Sequence, residues 1–274
     1  MDFLAANVSY ADIVAVLCIC KNQYASAYRI QVRWEHCLKK ILNSYAGSLT
    51  SEEISEGISA AQANALRLLD DARLLLEAGR FPSAAALAIL SMEERGKTII
   101  LKRLAIVKDP ADLKAAWRDY RNHRAKNAGW IIPQLVKQGA RTMLSLADSV
   151  DQNAEHAAVL DALKQVSFYT DCLEKRHWSV PTEVIDEDLA RSMIASAELM
   201  WGGQSITVRE VDLWTKIVGP HYNQSGMLAA VVQWQHAMLE EGLSETKPEK
   251  LAAFMQGMPV EVDNKISAGP LNEE

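Results

Sequence analysis

The sequence predicts an all-α protein. Apolar residues recur at three-to-four spacing along most of the chain, helix-start and helix-stop residues bracket those stretches, and no run of any length shows the alternation of a half-buried strand. With 274 residues, 49% of them hydrophobic, the chain can bury one large core or two small ones. Charged residues make up only 23%, so the chain as a whole is not of the disordered class.

Residues 1–50 read as an N-terminal helical extension. Ile30, Trp34, Cys37, Leu38 and Ile41 share helical spacing, and Arg29, Arg33, Lys39 and Lys40 make that helix basic. Ser51 to Gly79 is the next helix. Glu52 and Glu53 suit the dipole at its start, Ile58, Ala61, Ala65, Leu69, Ala72 and Leu76 form its stripe, and Gly79 ends it. Phe81-Pro82 opens a long helix to about Val107, whose small early residues, Ser83 to Ala88, let a neighbour approach closely. Asp109-Pro110 supplies a capping carboxylate and a proline at the first helical position, starting a third helix that runs to about Ala128.

Trp130 to Pro133 is a connector, and Gln134 to Ser149 is a fourth helix or an irregular piece. Ala154 to Leu173 is helical, with Val159, Leu163, Val166, Thr170 and Leu173 spaced for packing. Arg176 to Pro181 follows as a fixed loop that Tyr169 and Asp171 tie to the bundle. Further helices are expected over Glu183–Trp201, Thr207–Val218 and Gly226–Gly242, then a short apolar piece, Leu251–Met255. The division expected is an N-terminal helical extension (1–50), a core (51–182), a C-terminal helical extension (183–243) and a mostly disordered tail (244–274).

The formal net charge of −6 and a pI near 5.6 argue against coating nucleic acid by bulk charge, yet leave room for a local basic pocket. Four cysteines form no C-x-x-C pair and no zinc spacing, which suits free thiols in a reducing cytosol. Ile13 to Cys20 is an apolar run far short of the roughly 20 residues a bilayer needs. No Lys or Arg precedes Lys21, so a secretory start is missing. The expectation is a cytoplasmic protein that engages no membrane and requires no cofactor or metal.

Two polar clusters carry the chemistry. The first is Glu93-Glu94-Arg95-Gly96-Lys97 on the second helix. At about 100° per residue, Leu87, Leu90 and Leu101 share a face with Glu94 in its middle. A carboxylate there needs a partner or a proton, so Glu94 is expected to be buried against a cation of the third helix. Glu93 and Lys97 are read as a surface pair at i, i+4. The second cluster is Arg118-Asp119-Tyr120-Arg121-Asn122-His123, followed by Lys126 and Asn127. Five helical positions turn a side chain by about 140° net, so Arg118 and His123 share no face of one straight helix. Either the helix is distorted there, or two copies of the chain build the site. The plain alternative is that His123 is a surface or interface histidine paired with Asp119.

The ordered set Gly79-Arg80-Phe81-Pro82-Ser83-Ala84, Glu93-Glu94-Arg95-Gly96-Lys97, Tyr120 to Asn127, Tyr169-Thr170-Asp171 and Trp178-Ser179-Val180-Pro181 resembles the AbiV-type abortive-infection proteins, a branch of the HEPN superfamily. The resemblance covers about Ser51 to Ile185. It implies a HEPN-like helical bundle, often dimeric, that acts in bacterial defence against phage. Many HEPN proteins are metal-independent RNases whose signature is an Arg, usually a small polar residue, and a His after four to six intervening residues. Arg118, Asp119 and His123 fit that signature.

The function this points to is a metal-independent endoribonuclease. His123 has the pKa range for proton transfer near neutral pH, Arg118 offers a fixed fork of donors to phosphate, and Glu94 orients a cation. Arg121, Lys126 and Lys97 add positive potential for RNA phosphate. The expected products are a 2′,3′-cyclic phosphate and a 5′-hydroxyl, and the expected partners are RNA, a second copy of the chain, and a phage protein or cognate antitoxin. The alternative is a non-catalytic helical protein that recognises a phage or host protein.

Overall fold

The framework is a helical hairpin built from two long helices, α1 (Ser51–Glu77) and α2 (Phe81–Ile106). Thr50, ahead of the acidic residues, is the true cap of α1: its hydroxyl accepts from the Glu53 amide, while the Glu53 carboxylate accepts from the Thr50 amide at 2.8 Å. Gly79, at φ 67°, takes the left-handed turn between the helices. Ala84, Ala85, Ala86 and Ala88 are fully buried, so the small residues at the start of α2 do admit close neighbours.

The computed structural model describes residues 44–132, 135, 138–140, 146, 153, 155–200, 206–256 and 258. The expected N-terminal helix, nearly all of the 134–149 piece and the 263–274 tail lie outside the described residues. The described elements from Ala46 onward belong to one compact unit. After α2 come α3 (Pro110–Arg121), α4 (His123–Asn127) and α5 (Glu155–Phe168). A two-stranded antiparallel hairpin follows, β1 (Asp171–Leu173) and β2 (His177–Ser179), with Cys172 opposite Trp178. Then come α6 (Pro181–Val184), α7 (Glu187–Leu199), α8 (Val208–Ile217), α9 (Met227–Glu240) and α10 (Pro248–Met255). The class is all-α, as expected. Among the described residues no helix is long and apolar enough to cross a membrane.

Apolar burial concentrates in two clusters, one at each end of the hairpin. Leu69, Ala72, Ile89 and Met92 pack with Leu160 of α5 and with Ala190, Met193, Ile194 and Ala197 of α7. Ile54, Ile58, Ile100, Leu101 and Leu104 pack with Ala116 and Trp117 of α3 and Val211 of α8. The stretch read as a C-terminal extension therefore feeds both clusters through α7 and α8. Between Met92 and Ile100, α2 carries the first polar cluster, so charged groups sit at the waist between two apolar cores.

Three local expectations are corrected. The third helix does not run to Ala128; Asn122 leaves helical geometry at ψ 124°, and its side chain accepts from the Arg124 amide at 2.9 Å to start α4. The 154–173 helix stops at Phe168, and both Val159 within it and Leu173 beyond it are exposed rather than packed. The loop after it is a hairpin whose strands are too short and too exposed to show alternation. Tyr169 is exposed, with its amide donating to the Gln165 carbonyl of α5 at 2.9 Å and its ring 6.1 Å from that of Phe168, while Asp171 accepts from the amide of its neighbour Cys172 at 2.7 Å.

At the junction of α2, α8 and α9, Trp214 and Trp234 meet edge-on at 5.2 Å, and the Lys102 ammonium lies 5.4 Å from the Trp234 ring. Burial holds the Lys102 pKa below its ordinary value, with Glu210 partly restoring it. A lysine depressed in the folded state gives the unfolded chain more bound protons, so its penalty applies at neutral pH and fades as pH rises toward 10.5. Lys102→Met keeps the stem and removes the charge. It is expected to raise stability at pH 7 by about 1 kcal/mol, with a gain that shrinks in alkaline melts. A gain that grows with pH would contradict this account.

Candidate functional site

The site is created by a close approach of backbones. A Cβ placed on Gly96 would lie 1.9 Å from the Lys126 carbonyl oxygen, so α2 and α4 touch there with no room for a side chain. That contact brings the face of α4 that carries His123, Lys126 and Asn127 against Glu93, one turn before Gly96. From another side α5 contributes Lys164, which replaces an apolar residue on the buried stripe of Ala157, Leu160 and Ser167.

Glu93 is the centre of the cluster, with its side chain only 3% exposed. One carboxylate oxygen lies 2.6 Å from His123 Nδ1 and 3.7 Å from Lys126 Nζ. The other accepts from Lys164 Nζ at 2.5 Å and from Asn127 Nδ2 at 3.4 Å. Lys164 also lies 3.0 Å from Asp161. Burial pulls the Lys126 pKa below the usual lysine value; Glu93 opposes that, and Lys97 adds to it. An ionised carboxylate can only accept, so the Glu93 contact places the proton of a neutral imidazole on Nδ1. Nε2 then keeps its lone pair, on a side chain that is 51% exposed. The arrangement provides an oriented base facing solvent.

Glu93, His123 and Asp161 could each offer a metal-ligand atom within a common 4.8 Å. The chemistry of the set fits a cation of another kind, because the Lys164 ammonium already bridges the two carboxylates and Lys126 lies beside them. A divalent ion there would face both positive charges.

The expectation that Glu94 is buried against a cation of the third helix is also corrected. Glu93, not Glu94, lies on the core stripe, which runs through Ile89, Glu93, Gly96, Ile100 and Leu104 rather than through Leu87 and Leu90. Glu94 instead pairs with Lys97 at 2.6 Å, one turn on, and the Lys97 ammonium lies 5.4 Å from the Tyr120 ring. Glu94 and Lys97 therefore brace the α2–α3 face. His123 is not paired with Asp119, whose carboxylate accepts from Arg103 at 2.6 Å and stands 3.6 Å from Arg118 Nε.

Arg118 is 72% exposed at the end of α3. Arg121 donates to the Trp117 carbonyl at 3.2 Å and stacks 5.2 Å from the Trp117 ring. The helix is broken at Asn122, between Arg118 and His123, so the turn of about 140° in one straight helix no longer argues for a two-copy site. Sequence reasoning missed Glu93 as the hub, and with it Lys164, Asn127, Asp161 and Arg103. The signals were present in a Glu on the Ile89–Ile100 stripe and a Lys on the Leu160–Ser167 stripe.

The HEPN_AbiV family model, described as AbiV, matches residues 53–202, more than half of the chain. The match spans α1 to α7 and therefore every side chain of the Glu93 cluster. No curated protein and no solved structure matches the chain.

Proposed function

The chain belongs to the AbiV family of HEPN proteins, and on that premise we propose that it is a metal-independent endoribonuclease serving abortive infection in the bacterial cytoplasm. The observation that carries the reading is the Glu93–His123 contact, which orients an imidazole with Nε2 toward solvent. His123 Nε2 takes the 2′-hydroxyl proton, the 2′-oxygen bonds to phosphorus, and the bond to the 5′-oxygen breaks. The 5′-oxygen leaves as a hydroxyl once protonated by a second acid, supplied by water or by His123 of a second copy. Arg118 and Arg121 stabilise charge on the phosphorane, a role for which guanidinium geometry is suited. Lys126 and Lys97 add potential from behind, and Glu94 acts by holding Lys97. A homodimer with α3 and α4 near its axis, and a phage protein or antitoxin that sets the active state, complete the proposal.

A specific observation also supports the non-catalytic alternative: Asp119 stands beside Arg118 on a chain of net charge −6, which weakens its hold on phosphate. Purified protein and labelled single-stranded RNA separate the two. His123→Ala and Arg118→Ala are each expected to cut cleavage by about 10²–10⁴-fold. His123→Ala should cost only about 1 kcal/mol of stability, because Glu93 keeps its lysines. Arg118→Lys should rescue poorly, and EDTA should change nothing. Cleavage by His123→Ala at the wild-type rate overturns the mechanism, and cleavage abolished by EDTA overturns metal independence.

A further inference from the structure

The Glu93 carboxylate is gripped from one side by a residue with no part in the cleavage steps. Lys164 of α5 places its ammonium 2.5 Å from Oε1, while Oε2 lies 2.6 Å from His123 Nδ1. The Lys164 and Glu93 side chains are only 6% and 3% exposed, so neither reaches an RNA strand. We propose that Lys164 is the positioning residue of His123. By fixing Oε1 of Glu93 it keeps Oε2 on Nδ1, and so holds the imidazole in the tautomer whose Nε2 lone pair faces solvent. The consequence for rate rests on the nuclease reading; the tautomer itself does not.

Three observations carry the assignment. The terminal torsion of a glutamate is soft, so Glu93 takes its orientation from its partners, and these are unequal. Lys164 makes the shortest contact to Oε1, Asn127 is 3.4 Å from the same oxygen, and Lys126 stands 3.7 Å from Oε2, beyond hydrogen-bond range. Second, Lys126 competes for this carboxylate. Its side chain is 8% exposed, and burial presses on its charge while Glu93 supports it. Without Lys164 the carboxylate turns toward Lys126, and Oε2 leaves Nδ1. Third, nothing else holds the ring: the Glu93 contact is the one side-chain hydrogen bond of His123 among the described residues, and the imidazole is half exposed. Asp161 plays a different part. Its Oδ1 lies 3.0 Å from Lys164 Nζ without forming a hydrogen bond, so it balances the ammonium's charge and does not direct it.

The test is nitrogen-15 NMR of the imidazoles in the full chain at about pH 9, where a histidine is ordinarily neutral. The His123 signals are assigned by their loss in His123→Gln. Wild type should show the Nδ1–H tautomer in excess, and Lys164→Met should move the ring to a mixture of both tautomers. Lys164→Met should also lower kcat on single-stranded RNA by about 10²-fold with KM within about twofold, since a misplaced base costs rate and not binding. Asp161→Asn removes the other charge of the α5 pair and should leave tautomer and kcat near wild type. A lysine that only docks α5 would make the two variants equally harmful. Where Lys164→Met does not fold by circular dichroism, Lys164→Met combined with Asp161→Asn removes both charges together and is expected to give the same tautomer mixture and loss of kcat. A wild-type ring with the Nε2–H form in excess, an unchanged tautomer in folded Lys164→Met, equal effects of the Lys164 and Asp161 variants, or a raised KM at unchanged kcat overturns the proposal. A wild-type chain that cleaves no RNA removes the nuclease reading alone, and the tautomers of wild type and Lys164→Met still decide whether Lys164 positions His123.

Discussion

Glu93→Ala is expected to lower the free energy of unfolding at neutral pH by about 3–5 kcal/mol, the cost of breaking a buried ionic network by removing its centre. The side chains of Lys126 and Lys164 are only 8% and 6% exposed and share that one carboxylate. Asp161 retains Lys164 after the substitution, but Lys126 loses the chief group that supports its charge against burial. The pH dependence follows in sign. With Glu93 gone, Lys126 is depressed further in the folded state, the unfolded chain binds more protons, and stability rises with pH toward 10.5. Urea melts of the variant should therefore show a deficit that narrows between pH 7 and about pH 10. Glu93→Ala combined with Lys126→Met should recover part of the loss, because an apolar side chain replaces the stranded charge. A single variant within about 1 kcal/mol of wild type at pH 7 would show that the cluster is not the buried network described.

Much of the fold was legible because it depends on local rules. The α1–α2 hairpin follows from apolar periodicity, from Gly79 and from Asp109-Pro110, all of which act within a few residues. The errors arose where two readings differ by a single residue. At about 100° per residue, moving the core stripe of α2 by one position exchanges Glu93 for Glu94, and the Leu87–Leu90 pattern was as apolar as the Ile89–Ile100 one. Tertiary packing decided between them, through the Gly96 approach and the arrival of Lys164 from α5. The α3–α4 break was harder still. Asn122 is a good cap, but no Gly or Pro marks the spot, and a continuous helix was locally as acceptable. The hairpin at Asp171–Ser179 escaped because three-residue strands leave no period to detect.

The same limits explain the candidate site. Motif order singled out His123 and Arg118 as candidates, since spacing along the chain is a property of sequence. What holds His123 is a property of packing: Glu93 lies thirty residues away, and Lys164 is seventy-one residues from Glu93. The site joins three helices at the seam between two apolar clusters, where burial strengthens the ionic contacts and also makes each one costly to lose.

Gly96→Ala is the sharpest test of that seam. Replacing glycine by alanine inside a helix ordinarily stabilises by up to about 1 kcal/mol. Here the added Cβ would fall 1.9 Å from the Lys126 oxygen, 2.7 Å from its carbonyl carbon and 3.0 Å from its Cα. All three are backbone atoms, so no rotamer change can relieve the contact, and α4 must move away from α2. That movement would draw His123 and Lys126 off Glu93, stranding the carboxylate with Lys164 alone. The expected result is a net loss of about 2 kcal/mol or more, together with loss of any cleavage activity, because the imidazole no longer has its orienting partner. Gly57→Ala in α1 provides the control. Its Cβ would meet only the Leu101 side chain at 3.6 Å, an ordinary contact, so it should be neutral or stabilising. Thermal melts of the two variants should therefore move in opposite directions. If Gly96→Ala melts at or above wild type, the α2–α4 contact is not the tight junction on which the His123 geometry depends.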